Sequence, residues 1–339
     1  MSSSYKLNEN GVPDFDALPL RKGDPLFAAW GLYGPNDELG FLNRLTDERV
    51  EAAAREEIRS GKRISLNLPL NSRGQGKTLF ERQAFHQDLM AWPSGTVNDD
   101  IWTFNSQVST QWDGLRHFGY QEAGLFYNGA TQEDIHGVDV VTGEKSVKLG
   151  IQAWAEKGIV GRGVLLDYHR WRATPEGQAQ TKVKDYQSFA QVSIPLEDLQ
   201  ACLKWQGTEL KFGDILFVRT GFTDTLSKTT DEQLEAQISY TAPTCGGVEK
   251  SERVLRWIWE NFSAVAGDQP AFEVWPPQQP WSLHEVLLAG WGCPIGELFG
   301  LEKVSAHCAE TGRYTFFVAS EVCDVPGGVA SPPNVLAIF

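Results

Sequence analysis

Gln107-Val108-Ser109-Thr110-Gln111-Trp112-Asp113-Gly114-Leu115-Arg116-His117-Phe118 is the most telling stretch of the chain. Read as extended backbone, 107 to 113 sends residues 107, 109, 111 and 113 to one side. Two amides and a carboxylate then stand in a row, and His117 arrives after the Gly114 turn. Oxygen donors beside one imidazole can hold a divalent metal, and a free imidazole nearby can move protons. A surface strand with a polar wet face would carry the same letters. The stretch alone leaves both readings open.

Working outward, the chain has only six histidines. His284-Glu285-Val286-Leu287-Leu288 and Pro294-Ile295-Gly296-Glu297 form a second stretch, with Leu287 and Leu288 on a helix-like face between His284 and Glu297. Surface pairing or helix capping would explain it as well as chemistry does. Gly161-Arg162-Gly163 precedes a strand and is no dinucleotide fingerprint. Neither a Gly-x-Ser-x-Gly elbow nor a Walker loop is present.

The remaining periodicity speaks for a mixed α/β domain. Thr46 reads as an N-cap, with Val50, Ala53, Ala54 and Ile58 on one apolar face and Gly61 as the stop. Ile64 to Leu68 alternates as a half-buried strand, and Asn71 to Trp92 looks like a long aperiodic excursion. Gly163–Asp167, Gly213–Thr220, Ala264–Asp268 and Tyr314–Ala319 read as buried strands. Pro195–Leu203 and the face Leu255, Ile258, Trp259, Phe262 read as helices. With no break in composition after residue 60, the expectation is an N-terminal arm and helix over 1–60 and a single α/β domain over 61–339.

The 339 residues carry a net charge of −14, with 44 acidic and 30 basic side chains. Without a basic patch this excludes a nucleic-acid binder and disfavours an anionic membrane surface. No apolar run approaches the ~20 residues of a membrane span. The first ten residues do not resemble a signal peptide, so a cytoplasmic location is expected. Five scattered cysteines, Cys202, Cys245, Cys293, Cys308 and Cys323, suggest free thiols and neither a disulfide framework nor a zinc knuckle.

Thr110, Asp113, His117 and Phe118 match a signature, His-x-Gly-Thr-His-x-Asp-x-x-x-His-Phe, and the stretch resembles that of the cyclase / kynurenine formamidase-like metal hydrolases. Gln107 and Gln111 stand where that family has two metal-binding histidines, and Ser109 replaces the glycine. His284 and Glu297 resemble the family's later His and Glu. Gly213-Asp214 to Arg219-Thr220-Gly221 and Gly327 to Pro332 resemble its strand and C-terminal turn. Trp30-Gly31, Asp37-Glu38-Leu39-Gly40 and Leu42-Asn43 resemble the arm of its longer members.

This resemblance implies a swivelling β/β/α fold, with a mixed sheet flanked by helices, and hydrolysis of an amide, cyclic amide or lactone. It implies a metal held by Gln111, Asp113, His284 and Glu297, with His117 as general acid/base. Exchanging imidazole for amide oxygen favours Mn²⁺ or Mg²⁺ over Zn²⁺. Gln107, Trp112, Phe118, Tyr120 and Tyr127 are the expected pocket residues for a small-molecule substrate, though the aromatic ones read equally well as core. The family also implies a homodimer, for which the segment Trp275–Trp291 offers apolar surface. Two other readings stay open. One is a non-hydrolytic cyclase or dehydratase using His117 as base without metal, and the other a silent binding protein on the same scaffold.

Overall fold

The buried runs of the sequence become the middle of one sheet. The computed structural model describes residues 5–72, 78–237, 239–277 and 280–339. Among these residues the strands are β1 Arg63–Ser65, β2 His86–Ala91, β3 Asn98–Thr103, β4 Gln111–Asp113, β5 Ile159–Leu166, β6 Ser193–Ile194 and β7 Asp214–Val218. They continue with β8 Gly247–Val248, β9 Phe262–Gly267, β10 Ile295–Glu297, β11 Thr315–Ser320, β12 Ala330–Ser331 and β13 Val335–Ile338. The large sheet has the order β1-β13-β11-β5-β7-β9-β10-β4-β12. Strands β5, β7, β9 and β10 run parallel, and the flanking pairs are antiparallel. Val164, Leu165 and Leu166 on β5 and Ile215 to Val218 on β7 are wholly buried. Parallel strands covered by helices on both faces need such unbroken apolar runs. The result is the expected mixed sheet flanked by helices.

The helices begin where the caps indicate. Thr46 accepts from the Arg49 N–H at the head of Asp47–Glu57, and Ser251 from the Val254 N–H at the head of Glu252–Asn261. The first of these stops at Glu57, before Gly61, because Ser60 and Gly61 donate instead to the Phe339 carbonyl at 2.8 and 2.7 Å. The arm, described from residue 5, packs behind the segment that carries His284. Ala29 N–H donates to the Gly290 carbonyl and Phe41 N–H to that of Gly292. The Phe41 ring stacks on Trp291 at 5.4 Å.

Three expectations need correction. Only Gln111–Asp113 is strand, for residues 106–110 turn, with Val108 N–H on the Asn105 carbonyl and Gln107 N–H on Asn105 Oδ1. The excursion Asn71–Trp92 includes residues outside the described set (73–77), but beyond them it forms β2, which pairs with β3 as a hairpin exposed along its length. The segment Trp275–Trp291, of which 278 and 279 lie outside the described residues, is not a free apolar face. Trp291 is fully buried and Trp281 half-buried beneath the Lys250 ammonium.

Candidate functional site

Strand β4 builds the site by alternation. Gln111 and Asp113 project to one face and Trp112 to the other. Trp112 is core: it packs on Phe299 at 5.1 Å and donates to Ser320 Oγ. Gly296 lies opposite it in the register, and a Cβ there would come within 2.7 Å of the indole. On the other face Glu297 is the direct partner of Gln111, whose amide donates to Glu297 Oε2 at 2.7 Å. His284 enters from the head of a π-helical turn, Glu285–Gly290, a local bulge often found at functional sites. His117 follows Asp113 by a tight turn closed by its own N–H on the Gly114 carbonyl.

Asp113, His117, His284 and Glu297 therefore meet, though the chain scatters them. His117 Nε2 lies 3.7 Å and His284 Nε2 4.0 Å from Asp113 Oδ2. His284 Nε2 also faces Glu297 Oε1 at 3.2 Å, and its Nδ1 is 2.8 Å from Glu273 Oε2. Glu273 accepts the His284 backbone N–H too, so it fixes both ring and main chain. Gln107 reaches the same place from its turn, with its amide nitrogen 3.3 Å from His117 Nδ1.

The electrostatics are those of a crowd of buried acids. Burial raises Asp113 to about 6, and burial with the Asp113 charge raises Glu297. Burial and the neighbouring His284 charge lower His117 to about 3, which leaves it neutral. For His284 burial opposes a charge, but Glu273 and then Glu297 outweigh it and hold the ring well above the ordinary imidazole value. Two buried acceptors, Gln111 Oε1 and Asp113 Oδ2, have no hydrogen-bond partner among the described residues. Leaving such oxygens unmet costs about 1–3 kcal/mol each, more when charged. A divalent cation would satisfy both. Ligand atoms of Asp113, His117 and His284 lie within 4.8 Å of one another, so the residues present fit a metal.

A cavity of about 190 Å³ opens on this cluster, lined by Phe80, Arg82, His117, Phe118, Pro270, Ala271, Trp275, His284 and Glu297. Of the aromatic pocket residues expected from sequence, only Phe118 lines it. Tyr120 and Tyr127 are buried, tied by their hydroxyls to the Leu26 carbonyl and to Asp37. The sequence reading missed Arg82, Phe80, Trp275 and Glu273, which lie in stretches without period. The Glu273-Val274-Trp275 run just upstream of His284 was the available signal.

The family model described as "Putative cyclase" matches residues 64–274. The crystal structure of a novel cyclase is similar over 92% of this chain and 99% of its own, with 30% identity and a TM-score of 0.77. Isatin hydrolase A from Ralstonia solanacearum (15% identity, 86% of this chain and 97% of that one, TM-score 0.52) shares the fold. So does isatin hydrolase A from Labrenzia aggregata bound to benzyl benzoate (15%, 87% and 98%, TM-score 0.53). No curated protein matches the chain.

Proposed function

We propose that this chain, which belongs to that cyclase family, is a metal-dependent hydrolase opening the acyl bond of a small, flat cyclic amide, amide or lactone. The observation that carries this reading is the pair of unmet buried acceptors, Gln111 Oε1 and Asp113 Oδ2, beside the His117 and His284 imidazoles. Gln111, Asp113, His284 and Glu297 would hold the cation, and an oxygen-rich set of this kind suits Mn²⁺ or Mg²⁺ better than Zn²⁺. When bound, such an ion lowers the pKa of water and polarises a carbonyl.

The chain's own residues supply the rest. Glu273 holds His284 by its Nδ1 and so aims Nε2 at the cluster. His117 shuttles the proton between water and leaving group. Phe80, Phe118 and Trp275 offer flat faces to a planar ring and exclude water from it. The two isatin hydrolases make isatin, a fused aryl cyclic amide, the first compound to try.

The test joins metal analysis of the purified protein to ring opening of isatin and aryl lactones. About one divalent ion per chain, with turnover lost on chelation and restored by Mn²⁺, supports the proposal. Ring opening that persists in metal-free protein would overturn the role given to the metal. Protein that holds no metal and opens none of these rings would point instead to a cyclase or dehydratase using His117 as base.

A cytoplasmic homodimer completes the reading. The five free cysteines suit a reducing compartment, and among the described residues no helix is long and apolar enough to cross a membrane. The β2–β3 hairpin exposes Leu89, Met90, Trp92, Ile101 and Trp102, and an isolated two-stranded ribbon is marginal in water without cover. Monomer alone in light scattering at micromolar concentration would refute the dimer.

A further inference from the structure

One hydrogen-bond chain at the cavity wall has no part in holding a cation. Arg82 donates from Nη1 to the Gln107 carbonyl at 2.8 Å and from Nη2 to Gln107 Oε1 at 2.7 Å. A guanidinium has only donors, so the Gln107 atom facing it is the oxygen. The amide nitrogen is thereby turned the other way, to 3.3 Å from His117 Nδ1. An amide NH₂ likewise offers only donors, so Nδ1 must meet it with a lone pair. The imidazole proton then sits on Nε2, which faces Asp113 Oδ2 at 3.7 Å. The backbone turn at Asn105 fixes Gln107 in this position.

We propose that Arg82 and Gln107 are positioning residues that lock His117 as the Nε2–H tautomer, making it a hydrogen-bond donor into the cavity and withholding it from a metal. The spacing of Asp113, His117 and His284 would also suit three metal ligands. The two arrangements differ by one proton, because ligation requires a lone pair on Nε2. The clamp puts a hydrogen there, and neutral His117 has no second one to keep. The His284 ring, by contrast, can give up its Nε2 proton and retain the Nδ1 proton that Glu273 holds. A cation must then be met by Gln111, Asp113, His284 and Glu297, while the His117 Nε2–H faces the cavity. For His117 to take a proton from water, Gln107 must first let the ring change tautomer. The use of that proton rests on the proposed hydrolysis; the tautomer rests on the hydrogen bonds alone.

Nitrogen-15 histidine labelling of the full chain reads the tautomer directly, in long-range proton–nitrogen correlation spectra. His117→Asn identifies the His117 signals. The expected result is a protonated Nε2 and a bare Nδ1 in metal-free protein. On addition of Mg²⁺ or Zn²⁺ that pattern should persist while the His284 signals move. Gln107→Glu should place a proton on Nδ1, and Arg82→Met should let the amide turn and give a mixture of tautomers. A wild-type His117 protonated on Nδ1, or one that loses its Nε2 proton when metal is added, would overturn the proposal. Failure to hydrolyse any acyl compound would count against the proposed function and leave these spectra unchanged.

Discussion

Two groups of buried acids sit on the same sheet and are treated in opposite ways. At the ends of β5, β7 and β9, Asp167 and Asp268 are saturated. Asp167 accepts from Arg219 at 2.9 Å, from the Arg170 N–H and side chain at 3.2 Å, and from Ser305. Asp268 accepts from Thr220 N–H and Oγ1 and from Gly221 N–H at 2.6–2.8 Å. At β4, among the described residues, Asp113 Oδ1 receives only the Gln111 amide, at 3.4 Å, and Oδ2 receives nothing. A carboxylate surrounded by donors braces the fold. One kept dry and unmet is reserved for something else.

The sharpest way to break this contrast is to neutralise Asp113. Asp113→Asn should abolish turnover and bound metal while the metal-free protein melts no lower than wild type; an active variant would end the distinction. His117→Asn should retain its metal and slow turnover by about 10²–10⁴-fold, measured by metal content and kcat on one preparation. On the bracing side, Asp167→Ala removes the carboxylate that accepts from the buried Arg219 guanidinium and leaves it only the longer ion pair with Glu302 at 3.6 Å. It should cost about 3–5 kcal/mol in denaturant unfolding.

The metal-free protein should carry a pH signature of the unmet acid. Burial lifts folded Asp113 to about 6 from 3.8, so the native state holds that proton more tightly than the unfolded chain. Its contribution therefore falls as pH rises from about 4 to about 6, by at most about 3 kcal/mol. Unfolding wild type and Asp113→Asn at pH 4 and pH 7 checks this: the variant should gain on wild type at pH 7. The smallest effect is expected behind His284. Glu273→Gln should weaken Mn²⁺ binding by about 10–100-fold in titration calorimetry, and unchanged affinity would deny Glu273 its orienting role.

How much of this was legible depended on where each residue lies. The parallel strands announce themselves because burial on both faces demands apolar runs such as Ile215 to Val218. Asp113 and His117 are close in sequence, and His284 and Glu297 flank a recognisable apolar turn. Of the two readings open for Trp112, pocket or core, the structure shows core; strand alternation, which sets it opposite Gln111 and Asp113, already decides between them. Tyr120 and Tyr127 are held by the arm, a contact no local pattern encodes. Arg82 and Glu273 act through partners 25 and 11 positions away, from segments with no period, and only the folded chain brings them in.

The pairing of Gln111 with Glu297 spans 186 positions, and β12 closes on β4 later still. At about 5–20 residues per second, a ribosome takes roughly 10–40 s to make the second half of the site after the first. During that interval Gln111 and Asp113 exist without Glu297 or His284, so no cation encountered by the growing chain meets the finished donor set. On the proposed function, selection of the ion is deferred to the completed sheet, and whichever pool bathes the released protein would decide what it carries.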